Sequence, residues 1–301
     1  MTQKEEESYG DSQSYDFKVG LAEMLTGGVI IEVTTPDQAK IAEDAGATAV
    51  TVSEFDSQKH QEPPSVLRMP HPETIQKIQE AITIPIIAKC RVGHFAEAQI
   101  LESLFVDFID ECESLSPADE EHYIDKHNFR IPFICGCADL GQALRRIAEG
   151  AALLRTNVSH NENVLSYTVR YLRGIRTGLR IVSMMDHAEL LAEATRINAP
   201  YDLLENLAET GKLIVPICAS GGIVTPADAA LMIQLGAESV FVDADIFNSA
   251  DPLQDAKAII GAVTFHRDPE MLTKASLGDV SGMKEDVHPN RKEELLSNRG
   301  W

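Results

Sequence analysis

Positive charge is scarce in this chain of 301 residues: 26 lysines and arginines face 47 aspartates and glutamates, a formal net charge of -21. Nucleic acids and anionic membrane surfaces are polyanions, so the balance argues against unaided binding to either. An anionic substrate would need a local basic or glycine-lined pocket. Long apolar runs are missing too. No stretch approaches the roughly 18 to 20 residues that cross a bilayer, and Met1 to Asp16 is acidic and serine-rich, without the basic and apolar parts of a signal peptide. A cytoplasmic protein with no membrane partner is expected. Cysteines number five, Cys90, Cys112, Cys135, Cys137 and Cys218, and each lies in or at the end of an apolar run, where a thiol serves as a small buried hydrophobe. Cys135 and Cys137 would share one strand face, but no second Cys/His pair stands at ligand spacing. Neither a metal nor a bound cofactor is expected. Lysine is absent between Lys126 and Lys212, which removes amine chemistry from that part of the chain.

What is present is a regular alternation. Apolar, β-branched runs occur at Val29 to Val33, Thr48 to Val52, Ile84 to Lys89, Phe108 to Glu111, Pro132 to Cys137, Ala152 to Thr156, Val215 to Ala219 and Ser239 to Asp243. None alternates strictly, as suits strands covered on both faces. Helical patterns separate most of them: Pro36 to Ala45, Pro72 to Ala81, Phe95 to Leu104, Leu140 to Glu149, Asn163 to Arg173 and Pro226 to Leu235, with Pro252 to Thr264 after the last. Thr35-Pro36 and Thr225-Pro226 are start signals, a cap followed by proline in the first turn, and Gly46, Gly150 and Gly236 are stops. Right-handed βα crossovers leave an open doubly wound sheet or a closed (β/α)₈ barrel, and eight repeats within about 250 residues favour the barrel. Extra helices are expected at Asp186 to Thr195 and Tyr201 to Gly211. Residues 1–16 read as a disordered acidic arm, 17–264 as one barrel with an amphipathic leading helix over Phe17 to Leu25, and 265–301 as a polar C-terminal arm.

Barrel chemistry gathers at the carboxyl ends of the strands. The residues delivered there are Glu32, Glu54, Lys89, Arg91, Asp110, Glu111, Glu113, Arg155, Asn157, Gly221, Gly222, Asp243 and Asp245. Lys89 sits among Ile87, Ala88 and Cys90; partial loss of hydration there is expected to lower its pKa and free the amine to attack a carbonyl carbon. A purely structural ion pair is the alternative. Ala219-Ser220-Gly221-Gly222 follows strand seven and opens a helix, a backbone able to cradle phosphate. The loop after strand eight answers with Asp243-Ala244-Asp245. Each carboxylate about 5 Å from a phosphate charge costs on the order of 3 kcal/mol at an effective dielectric near 20, which closes that pocket to phosphate unless a cation intervenes.

Several stretches closely resemble the synthase subunit of the two-component, glutamine-dependent pyridoxal 5′-phosphate synthase family. They include Gly27-Gly28-Val29-Ile30-Ile31-Glu32-Val33, Ala88-Lys89-Cys90-Arg91-Val92-Gly93-His94-Phe95, Pro132-Phe133-Ile134-Cys135-Gly136-Cys137, Ala143-Leu144-Arg145-Arg146-Ile147 and Thr225-Pro226-Ala227-Asp228. The resemblance runs from Phe17 to about Thr264 and returns at Arg299-Gly300-Trp301. It implies a (β/α)₈ barrel assembled into hexamer rings stacked as dodecamers, with a glutaminase partner that delivers ammonia. It also implies a reaction joining a pentose 5-phosphate, ammonia and glyceraldehyde 3-phosphate through imines on two lysines. Lys89 falls on the first of these, and Glu32 replaces a family aspartate. Arg173 falls on an arginine that binds glyceraldehyde 3-phosphate, and Arg145, Arg146 and Arg155 stand with Gly221 and Gly222 as substrate-binding candidates. Asn157 replaces the second lysine, and an amide forms no Schiff base. The glycines of that loop are gone, with Asn161 among their replacements, and Asp243, Ala244 and Asp245 replace the family's second phosphate loop.

The expectation drawn is a non-catalytic paralogue that keeps barrel and assembly surfaces, co-assembles with an active synthase subunit in a hetero-dodecamer, and regulates or stabilises it. A glutaminase is a further partner, while phosphosugar substrates are disfavoured. The alternatives are an active synthase subunit and an imine-forming, aldolase-like enzyme that uses Lys89 alone.

Overall fold

The computed structural model describes residues 15–54, 66–156 and 165–277. Eight parallel strands close into a barrel in sequence order: β1 Val29–Val33, β2 Ala49–Val52, β3 Ile86–Arg91, β4 Phe108–Cys112, β5 Phe133–Cys137, β6 Ala151–Thr156, β7 Ile217–Ser220 and β8 Ser239–Val242, with β8 pairing back on β1. Residues 15–23 form α1. Around the barrel lie α2 Pro36–Ala45, α3 Pro72–Gln79, α4 Phe95–Ser103, α5 Leu140–Ala148, α6 Leu165–Val182, α7 His187–Ile197, α8 Tyr201–Thr210, α9 Pro226–Gln234 and α10 Pro252–Thr264. A final helix, α11 Pro269–Ser276, packs against α9 and α10 inside the stretch expected to be a polar arm, and none of its residues is buried.

Four strands begin later than their apolar runs suggest, β2 at Ala49 rather than Thr48, and one residue type explains the other three. Pro85, Pro132 and Pro216 carry no N–H, so each ends the approach rather than joining the donor ladder. Strands β3, β5 and β7 start immediately after them. The proline carbonyls still serve, accepting from Val50 N at 3.0 Å, Ile109 N at 3.1 Å and Leu154 N at 2.9 Å. Helix α6 continues to Val182, well past the expected end at Arg173, and runs through Gly174 and then Gly178. A Cβ there would stand 3.0 Å from the Leu140 side chain, so glycine lets α6 press onto α5 instead of stopping it.

Helix starts follow the expected caps. Thr35 accepts from Gln38 N at 3.3 Å with Pro36 behind it, and Thr225 and Asp228 form a capping box at α9. Such caps contribute about 1 kcal/mol each.

Two apolar layers result. The larger packs the outward strand residues, Val29, Ile31, Val50, Val52, Ala88, Cys90 and Ile109 among them, against the helices. The smaller fills the barrel with Ile30, Ala49, Ile87, Phe108, Ile134, Leu153, Cys218 and Phe241, closed by Ala22 and Leu25. The leading segment therefore plugs the barrel, and burying Leu25 alone stabilises by roughly 1.5 to 3 kcal/mol. The carboxyl ends of the strands lie at the opposite end of the barrel.

Candidate active site

Strand pleat decides which side chains reach that end. Ile30, Ala49, Ile87, Phe108, Ile134 and Leu153 face inward, so the next inward positions are Glu32, Thr51, Lys89, Asp110, Gly136 and Arg155. Of the consecutive acids Asp110 and Glu111, only Asp110 enters the mouth. Glu111 points out to Lys126 at 2.7 Å and accepts from Gly93 N at 3.0 Å and Ile124 N at 2.8 Å.

Lys89 Nζ lies 2.6 Å from Glu32 Oε2, with both side chains largely covered. Burial pulls the lysine pKa down, as expected, but Glu32 pulls it up, helped by Cys112 and Asp110, and the net direction is upward. This corrects the expectation of a depressed amine. Lost hydration is real, but the carboxylate opposite it dominates, so Lys89 rests as an ammonium ion.

Arg155 is 4 % exposed and paired with two carboxylates. Its Nε meets both Asp110 oxygens at 3.1 Å and its Nη2 donates to Glu113 Oε2 at 2.8 Å. Glu113 fits because Gly136 has no side chain: a Cβ there would stand 2.2 Å from the Glu113 carboxylate. The other Glu113 oxygen accepts from Gly136 N at 3.1 Å and from the Tyr123 hydroxyl at 3.3 Å. Arg155 is thus an ion-pair centre of the mouth, and its partners are Asp110 and Glu113, two residues expected at the mouth without an assigned role. Asp110 is the register partner of Lys89, a relation that only the strand pairing reveals.

The remaining expected substrate residues divide. Gly221 and Gly222 have φ of 100° and 70°, conformations that favour glycine, and they sit between β7 and the capping box of α9. Thr168 Oγ1 donates to the carbonyls of Ser220 and Gly221 at 2.9 and 2.8 Å, and Thr156 Oγ1 bonds both N and O of Ser220 at 2.7 Å, so the loop is fixed from β6 and α6. Asp243 and the short helical turn Ala244–Asn248 follow the neighbouring strand β8, and Asp245 accepts from Asn248 Nδ2 at 3.1 Å.

Arg145, Arg146 and Arg173 are not brought to Lys89. Arg145 donates to the carbonyls of Ile197 and Asn198 at 2.8 and 2.9 Å, closing the end of α7. Arg146 stacks over the Tyr123 ring at 3.2 Å and pairs with Glu149 at 2.7 Å. Helix α6 buries Thr168, Leu172, Ile175 and Val182 and leaves Arg173 exposed. Asn157 and Asn161 lie outside the described residues. All five cysteines are free and buried, and burial pushes the Cys218 thiol up to about 12, which suits structural thiols. No helix among the described residues is long and apolar enough to cross a membrane.

The chain that builds this mouth has close relatives among known proteins. The profile of the SOR/SNZ family matches residues 14–220. The chain belongs to the SOR/SNZ family. A profile described as thiazole biosynthesis protein ThiG matches residues 179–273. Among curated relatives, the pyridoxal 5′-phosphate synthase subunit PdxS of Protochlamydia amoebophila is 54% identical over 96% of this chain and 97% of its own length. The PdxS subunits of a Roseiflexus species and of Herpetosiphon aurantiacus are 49% and 50% identical, each over 97% of this chain and 100% of their own length. The likeness to these PdxS subunits therefore covers nearly the whole chain, beyond the residues that the SOR/SNZ profile matches.

Proposed function

We propose that this chain is a pyridoxal 5′-phosphate synthase subunit of vitamin B6 biosynthesis that captures a pentose 5-phosphate as an imine on Lys89. The observation that carries this reading is the Lys89–Glu32 pair at 2.6 Å, placed at the open end of the barrel. Lys89 must lose a proton before it can attack, and Glu32 is the base within hydrogen-bond reach. The amine then forms a C–N bond to the carbonyl carbon as the C=O π bond breaks, and the oxygen takes the proton that the nitrogen releases, which gives a carbinolamine. Glu32 returns its proton to that hydroxyl, which leaves as water, and the imine remains. Full-length likeness to synthase subunits supports the same reading, and with it a glutaminase partner as the source of ammonia.

A second reading, the non-catalytic subunit that co-assembles with an active one, is favoured by specific residues. Asn157 stands where the family resemblance assigns a second lysine, and Asp243 with Asp245 stands where it assigns a glycine loop. The two readings part at a single step. Ribose 5-phosphate and borohydride are added to the full chain, and intact mass is measured. A pentose phosphate adduct that maps to Lys89 and is lost in Lys89→Arg supports imine capture, and its absence overturns it. Addition of glyceraldehyde 3-phosphate and ammonium then separates a complete synthase, which yields pyridoxal 5′-phosphate, from a chain that halts at the first imine. Halting, together with mixed dodecamers in native mass spectrometry with an active subunit, is the outcome that fits the second reading.

A further inference from the structure

Strands β1 and β3 are not neighbours; β2 lies between them. The Lys89–Glu32 contact therefore spans the inner face of β2. The inward residue at that crossing is Thr51. It is the register partner of Glu32 on one side and of Ile87, one inward step below Lys89, on the other. Ala49, two residues earlier, belongs to the barrel interior, whereas Val50 and Val52 face the helices, so the pleat fixes the direction of Thr51.

Thr51 is 1 % exposed, and its Oγ1 is buried without a hydrogen-bond partner among the described residues. Its inward neighbours are engaged: Lys89 with Glu32, Asp110 with Arg155, and Arg155 with Glu113. A buried hydroxyl with nothing to bond is uncommon, because desolvation goes uncompensated, and such a group commonly meets a water or a ligand. It is also the kind of polar group by which a pocket tells a hydroxylated substrate from its deoxy analogue, since the analogue leaves it unpaired.

We infer that Thr51 is a specificity-determining residue: its hydroxyl hydrogen-bonds the hydroxyl on the carbon next to the carbonyl that Lys89 captures, and so selects 2-hydroxylated sugar phosphates over 2-deoxy ones. The inference rests on the imine reading above. Thr51 is short and stands beneath the Nζ of Lys89, so its reach is confined to substrate atoms beside the new C–N bond. When the carbonyl arrives and the Lys89–Glu32 contact opens, the adjacent hydroxyl is the first polar substrate group to meet the β2 wall.

The test measures borohydride-trapped adduct on the full chain against concentration for ribose 5-phosphate and 2-deoxyribose 5-phosphate. The quantity compared is the ratio of the two half-saturating concentrations. Taking this ratio between variants cancels the different open-chain content of the two sugars. Thr51→Val is nearly isosteric and suits a strand. It is expected to raise the half-saturating ribose 5-phosphate concentration about tenfold, the scale of one lost hydrogen bond, and to leave the 2-deoxy value unchanged. Thr51→Ser, which keeps the hydroxyl, is expected to keep the wild-type ratio. An unchanged ratio in Thr51→Val, or an equal loss in both variants, overturns this inference while leaving imine capture standing. A wild-type chain that traps neither sugar overturns both.

Discussion

The two halves of the barrel mouth are built on opposite principles. On the side formed by β1 to β6, the inward charges are matched in short contacts: Lys89 with Glu32, and Arg155 with Asp110 and Glu113. On the side formed by β7 and β8, a glycine turn with two left-handed residues is followed on the next strand by Asp243 and Asp245. The first side holds an ammonium group against a carboxylate. The second sets a left-handed glycine turn beside a strand that ends in carboxylates. Under the proposed imine reading, covalent capture and phosphate grip would fall on different sides of the mouth, so that one could be changed without the other.

The largest expected effect comes from breaking the matched side. Arg155→Ala leaves Asp110 and Glu113 as uncompensated charges in a buried setting, and loss of one partner from such a network costs about 3 to 5 kcal/mol. Urea unfolding of the purified chain measures it. A loss below about 1 kcal/mol would mean that the carboxylates are hydrated and that the mouth is not held by this network.

A smaller change is expected on the other side. Asp243→Asn with Asp245→Asn keeps shape and removes two negative charges. If each carboxylate opposes phosphate by even half of the roughly 3 kcal/mol expected at about 5 Å, the affinity for inorganic phosphate rises more than tenfold in the double variant. Calorimetric titration checks it. An unchanged affinity would sink the idea that acidic residues oppose phosphate at the Gly221-Gly222 loop.

Legibility in the sequence followed the same division. The closed barrel, all eight strands and the extra helices α7 and α8 were readable, because alternating apolar runs and proline-threonine caps are local signals. The strand starts after Pro85, Pro132 and Pro216 were readable in principle, since a missing N–H is also local. Partnerships were not. The spacing of Lys89 says nothing about Glu32, 57 positions away, and only strand register brings them to 2.6 Å. Arg155 carried a substrate-binding expectation from its motif, yet the acids that engage it come from β4 and the loop after it. Gly136 looks like any glycine in a strand until the Glu113 carboxylate is found in the space its missing side chain leaves. Thr51 carries no motif at all.

The smallest expected effect is a displacement of a pH profile, and its sign tests how the amine is held. Two influences compete on Lys89: burial, which favours the neutral amine, and Glu32 with weaker help from Cys112 and Asp110, which favours the ammonium ion. The second prevails, so the folded pKa lies above the unfolded one. The pair's stabilising contribution is fully present below the unfolded lysine value and is lost only as pH rises through the raised folded value. Imine formation needs the neutral amine, so wild-type trapping by borohydride should still be climbing with pH at the ordinary lysine pKa of about 10.4. Glu32→Gln keeps a hydrogen-bonding group at nearly the same length and removes the charge. Burial then gains weight, and the trapping profile moves to lower pH even as the maximum rate falls with the loss of the base. A profile that stays in place or moves up would show that Glu32 does not set the charge of Lys89, and that the matched side of the mouth is held by shape rather than by electrostatics.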